Sequence, residues 1–153
     1  MKIFTCLFAF FTLMQLQAQD LKSPSEFLGY ELGSQFTRHH EVVSYFQYVR
    51  ESLPGQVQLQ DYGYTNERRP LMFAVLSSAE HMQNLEALRT AHLQSTEGGG
   101  DSQIAVVWLS YNVHGNESVS TEASMQTLYD LLTSKKGYLD NTLVIIDPCI
   151  NPD

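Results

Sequence analysis

Residues 104–117 read IAVVWLSYNVHGNE. Ten residues, 104–113, form the strongest strand pattern in the chain: a nearly unbroken apolar run rich in β-branched and aromatic side chains. His114 is the first polar group past its end. Gly115 lets the chain turn sharply, Asn116 suits turn conformations, and Glu117 opens the polar stretch that follows. Working outward, a helix is predicted over about 118–134, with Val119, Ala123, Leu128, Leu131 and Leu132 inward and Gly137 ending it. Next comes TLVIIDPCI (142–150), a second buried strand closed by Asn151-Pro152-Asp153. Upstream, VQLQDYG (57–63) alternates as a half-buried strand, and LMFAVLSS (71–78) reads as a strand buried on both faces. These two are spaced to form a hairpin.

Two further helices complete the pattern. One is capped by Thr37 and runs to about Leu53, with Val42, Val43, Phe46, Val49 and Leu53 on one face and Pro54-Gly55 as its stop. The other covers roughly 80–94, opened by a capping box of Ser77 and Glu80 and carrying Met82, Leu85, Leu88 and His92 in one stripe. Buried strands alternating with amphipathic helices imply an α/β layered sheet. In such sheets ligands sit beyond the carboxyl ends of strands, which is where His114 lies.

Composition narrows the function. The chain has 153 residues, one domain's worth, with a net charge of −8. It contains no basic run to neutralise phosphates or to dock on anionic lipid, so neither nucleic acid nor a membrane surface is an expected partner. MKIFTCLFAFFTLMQLQA (1–18) has a lysine, an apolar run and a small residue at the cleavage point, the order of a secretory signal peptide. It is too short for a membrane span. The organisation expected is therefore a signal peptide over 1–18, a turn-rich lead-in over 19–36 and a catalytic-type domain from 37 to 153. The location expected is periplasmic or extracellular. Cys6 leaves with the signal, and Cys149 in its apolar run is expected as a buried small hydrophobe. His39-His40 are expected as a solvated pair, and Arg68-Arg69 as a solvated loop or a carboxylate binder.

The pair His114 and Glu117 suits a metal ion. Three residues of tight turn bring an imidazole nitrogen and a carboxylate to one side, donors that suit Zn²⁺ at about 2.0–2.2 Å. A plain alternative stands beside it: His114 as a loop hydrogen-bonder and Glu117 as an acid favoured by the helix macrodipole. His-x-x-Glu alone discriminates little.

Context adds more. YNVHGNESVSTEA, followed about thirty residues later by VIIDPCINPD, closely resembles the zinc carboxypeptidase family (peptidase family M14). That family carries His-x-x-Glu at the end of a central strand and an apolar strand ending in Asn-Pro-Asp-Gly. YGYTNERRPL (62–71) is similar to its G-x-T/S-x-E-G-R-P segment, with Arg68 where glycine is usual. The wording also looks like the N-terminal part of the large exported bacterial members. The resemblance implies a three-layer α/β/α fold with a mixed central sheet, and His114 and Glu117 as two Zn²⁺ ligands. The third ligand, the glutamate general base and the clamp for the substrate's terminal carboxylate lie downstream of Asp153 in the family, so no catalytic residue is expected within 1–153. The activity implied is hydrolysis of peptide bonds in a peptide or protein substrate. A related zinc deacylase or amidase, or a non-catalytic binding domain, fits the same residues. On oligomeric state and side-chain specificity the sequence is silent.

Overall fold

The computed structural model describes residues 20–100, 102 and 104–153; the stretch 1–18 expected as a signal peptide, with Cys6, lies outside them. Four strands form one mixed sheet in the order β1-β2-β4-β3: β1 (Val57–Tyr64), β2 (Pro70–Leu76), β3 (Ala105–Ser110) and β4 (Thr142–Asp147). β1 and β2 make the expected antiparallel hairpin, with a bulge between Asp61 and Gly63. β2 pairs antiparallel with β4, and β3 runs parallel to β4, Ser110 opposite Asp147. The parallel pair needs a crossover, which α5 (Ser118–Leu132) supplies together with a 3-10 turn at Lys136–Asp140.

Helices cover both faces. On one, α2 (His39–Ser52) and α5 pack against the sheet. Val42, Tyr45, Phe46 and Val49 follow helical spacing and are fully buried there against Met125, Leu128 and Ile146. Each such side chain contributes about 1.5–3 kcal/mol by leaving water. The other face carries a smaller cluster of Val75, Ile104 and Leu143, against which Met82, Leu85 and Leu88 pack. The result is the α/β/α layering, with a sheet both parallel and antiparallel. Among the described residues no helix is long and apolar enough to cross a membrane.

Several boundaries differ from expectation, each for a local reason. α2 starts at His39 after Arg38, because Thr37 is buried and bonded elsewhere. The helix predicted over 80–94 is two, α3 (Ala79–Gln83) and α4 (Leu85–Thr96), breaking at Asn84. Its cap is Ser78, whose hydroxyl accepts from His81 N–H at 3.3 Å. Ser77 is buried and donates instead to the Thr142 carbonyl at 2.9 Å. The lead-in contains a short helix, α1 (Pro24–Leu28), opened by a Ser23–Glu26 capping box and closed by Gly29. In α5, Val119 is 76% exposed and Ala123 exposed, whereas Thr121, Glu122 and Ser124 are buried. That inversion follows from Glu122. Its carboxylate accepts from Gly33 N–H at 2.6 Å and from the Thr37 hydroxyl at 2.8 Å and N–H at 3.2 Å. A buried carboxylate needs such partners, and they fix which face of α5 turns inward.

Candidate metal centre

The parallel ladder of β3 and β4 does not stop with the strands. Tyr111 N–H donates to the Asp147 carbonyl at 2.9 Å, Ile150 N–H to the Tyr111 carbonyl at 3.1 Å, and Asn151 N–H to the Asn112 carbonyl at 3.2 Å. The two strand ends therefore leave the sheet as a tied pair. Asn112 makes the corner. It is buried, it adopts a left-handed φ of 55°, and its amide donates to the Asn151 carbonyl at 3.1 Å and to Cys149 Sγ at 2.9 Å. Asparagine tolerates that conformation better than any other residue but glycine. Cys149 is buried, as expected of a small hydrophobe, and burial pushes its thiol pKa up against the Asn112 hydrogen bond.

His114 and Glu117 follow on one tight turn, closed by Glu117 N–H donating to the His114 carbonyl at 3.0 Å. Both side chains are exposed, and among the described residues neither is tied to a protein partner. Glu117 directly precedes the first turn of α5. Gly115 is required for space rather than for turning, because its φ is not in the left-handed region. A Cβ there would collide with the Asp153 carbonyl oxygen and lie 2.8 Å from that of Asn151. The turn and the Asn-Pro-Asp segment are in backbone contact.

The third stretch, 65–69, meets them. Asp153 accepts from the Thr65 hydroxyl at 2.7 Å, from Glu67 N–H at 3.2 Å and from Arg69 Nη1 at 2.9 Å. Arg69 also reaches the Pro152 carbonyl and pairs with Glu67 at 2.6 Å. Partial desolvation raises the Asp153 pKa, but the Thr65, Glu67 and Arg69 contacts outweigh it and hold it below the usual carboxylate range. Arg69 is thus a brace, not a solvated residue. Arg68 stays exposed, at a left-handed φ of 63°. His39 is half-buried rather than solvated: Nε2 donates to the Pro70 carbonyl at 2.8 Å, leaving Nδ1 without a proton or a partner. Burial depresses its pKa, against the pull of the Pro70 carbonyl. His40 is exposed, as expected.

These segments border a cleft of about 580 Å³, between the start of α2, the 68–70 loop, the turn at 112–116 and Pro152-Asp153. Gly115 and Asn116 line it, so the middle of the turn borders it, whereas His114 and Glu117 themselves lie beside it and not in its lining. The donor set fits zinc in kind, an imidazole nitrogen and a carboxylate oxygen, both uncommitted. Among the described residues no three His, Cys, Asp or Glu side chains gather into a complete metal site. Sequence reasoning missed Asn112, Glu122 and the role of Asp153. A signal for the first was present in an asparagine immediately past a strand. The others depend on partners more than eighty residues away.

A comparison with curated proteins finds no match. Among solved structures, carboxypeptidase A from Helicoverpa armigera is similar at TM-score 0.63 and 20% identity over 89% of this chain and 28% of its own. Thrombin activatable fibrinolysis inhibitor is similar at TM-score 0.57 and 16% identity, over 78% of this chain and 26% of its own. The bovine form of that protein, in complex with tick carboxypeptidase inhibitor, is similar at TM-score 0.54 and 18% identity, over 78% and 32%. At these identities the likeness is one of fold, and the chain spans about a third or less of the length of each. The family model described as zinc carboxypeptidase matches residues 42–153, from the first buried valine of α2 through the turn at 114–117 to Asp153. The chain belongs to the zinc carboxypeptidase family, peptidase family M14.

Proposed function

We propose that this chain is the N-terminal part of an exported zinc metallocarboxypeptidase and that His114 and Glu117 are two of its three protein zinc ligands. The observation carrying this is the turn itself. It sets an uncommitted imidazole and an uncommitted carboxylate three residues apart at the carboxyl end of β3, beside a cleft, in a chain of this family. Zinc bound there supplies Lewis acidity and a water acidified toward a pKa of about 7. What these residues do is hold and aim. Asn112 and Gly115 fix the turn against 149–153, and Glu117 stands where the start of α5 favours a negative charge. The third protein ligand, the proton-accepting carboxylate and the clamp on the substrate's terminal carboxylate belong to chain beyond Asp153. The apolar stretch at 1–18 directs export and is removed near Ala18, leaving the mature protein in the periplasm or outside the cell.

The test is His114→Ala and Glu117→Ala in the full-length protein. Each is expected to lose zinc and to reduce hydrolysis of peptides with a free C-terminus by at least about 10²-fold. Melting temperature should change little, because both side chains are exposed. Full zinc content and activity in either variant removes that residue from the metal site. N-terminal sequencing of exported protein that still began at Met1 would count against export by this signal.

A further inference from the structure

The cleft beside the turn carries a charge opposite to that of the protein. The chain bears −8, yet three of its five arginines line this one cleft: Arg38, Arg68 and Arg69. Arg69 is spent on Asp153, Pro152 and Glu67. Arg38 and Arg68 are not. Both are exposed, and among the described residues neither guanidinium has a carboxylate within salt-bridge distance. The carboxylate that lines the cleft, Asp153, is already saturated by its contacts to Thr65, Glu67 and Arg69.

The backbone adds to this. α2 is fourteen residues long and begins in the cleft wall, where the amides of its first two residues, His39 and His40, have no intrahelical acceptor. The positive end of its macrodipole therefore points the same way as the two guanidinium groups. Glu41, the acid of that first turn, is turned back onto Arg38 N–H at 2.8 Å and does not line the cleft. Arg68 holds its left-handed φ at a cost that glycine would not incur, so a long cationic side chain stands in the loop at some expense to the backbone.

We infer that this cleft is a subsite for an acidic side chain of the peptide substrate, bound by Arg38, Arg68 and the open amides at the start of α2. The inference rests on the peptidase reading and adds a substrate class to it: peptides bearing Asp or Glu upstream of the bond to be cut. A planar, permanently charged guanidinium pair suits a carboxylate, and a cleft about 580 Å³ in volume takes a side chain with its backbone. Asp or Glu is favoured over Asn or Gln because the isosteric amide keeps the shape and loses the charge.

The experiment uses the full-length zinc-loaded protein and hexapeptides with a free C-terminus, their last amide replaced by a non-cleavable methylene-amine link. Glu or Gln is scanned through the upstream positions, and affinity is read by fluorescence anisotropy. At one position the Glu peptide is expected to bind about tenfold tighter than its Gln twin, from two exposed cations and a helix end acting together. The advantage should shrink to about two- or threefold in 0.5 M salt. Arg38→Gln with Arg68→Gly should bring the ratio to about one, and Arg38→Lys should keep part of it. Arg68→Gly suits the backbone and Arg38 is exposed, so both variants are expected to fold. Arg50→Gln, at the far end of α2, should leave the ratio unchanged. Equal binding of Glu and Gln peptides at every position overturns the inference, as does an equal loss of preference in Arg50→Gln. Cleavable peptides read the peptidase assignment separately. Selective binding without turnover would sink that assignment and leave the subsite standing; turnover without selectivity would do the reverse.

Discussion

A single methyl group at residue 115 is expected to disturb the candidate metal centre. Gly115→Ala would drive its Cβ into the Asp153 carbonyl, a backbone atom that Thr65, Glu67 and Arg69 hold through the neighbouring side chain. Overpacking of this kind costs about 1–3 kcal/mol, so the variant should unfold at lower urea and hold zinc less tightly. Unchanged urea midpoint and metal content would show that the segment yields freely. Asp147 makes a second case at this scale. It is 2% exposed, its Oδ2 accepts from the Tyr62 hydroxyl at 2.7 Å, and burial pushes its pKa above the usual carboxylate value despite that bond. The folded state then binds this proton more tightly than the unfolded chain. Its contribution to stability accordingly falls as pH rises from about 4, the unfolded value, through the raised folded value, and is level above it. Asp147→Asn should remove that fall, measured as urea midpoints from pH 4 to 7. At this scale the sequence displayed the turn carrying His114 and Glu117 openly, since the hydrogen bond that closes it is local. It concealed why Gly115 is glycine, because the reason is an oxygen 38 positions further on.

Among the elements, the strands were the most legible. Apolar runs at 57–63, 71–78, 104–113 and 142–150 all fall on real strands, trimmed mainly at their carboxyl ends, where turn hydrogen bonds replace the ladder. Helix faces were less legible. Counting apolar residues puts Val119 and Ala123 inward, but the carboxylate of Glu122 reorients α5 toward Gly33 and Thr37. Glu122→Gln tests that account. It preserves size and replaces one acceptor oxygen by an amide donor facing either Gly33 N–H or the Thr37 groups. A loss of about 1–3 kcal/mol in urea unfolding is expected, with faster proteolysis between residues 29 and 37. Wild-type stability would mean that this carboxylate does not anchor the lead-in.

For the molecule as a whole, β3 is one of the two edges of the described sheet, with Trp108 60% exposed on it. An open apolar edge invites association with other chains. Residues 19–153 produced alone should therefore aggregate and show no peptidase turnover. With two ligands they should hold zinc only at about micromolar affinity or weaker, losing it on dialysis. Chelator-sensitive turnover by that fragment would mean that the missing ligand and base lie within it. One more consequence comes from Asp153 and its grip on Thr65, Glu67 and Arg69. A ribosome adds roughly 5–20 residues each second, so the 39 residues from Gly115 to Asp153 take about 2–8 s to appear. For that interval the turn at 114–117 has been synthesised but lacks its brace, and the 65–69 loop, made earlier still, waits with it. The hairpin of β1 and β2 can form at once from its own contacts, whereas the turn at 114–117 gains its supports only as residues 149–153 arrive. The order of synthesis thus leaves the turn at 114–117 soft until the segment that shapes it has been made.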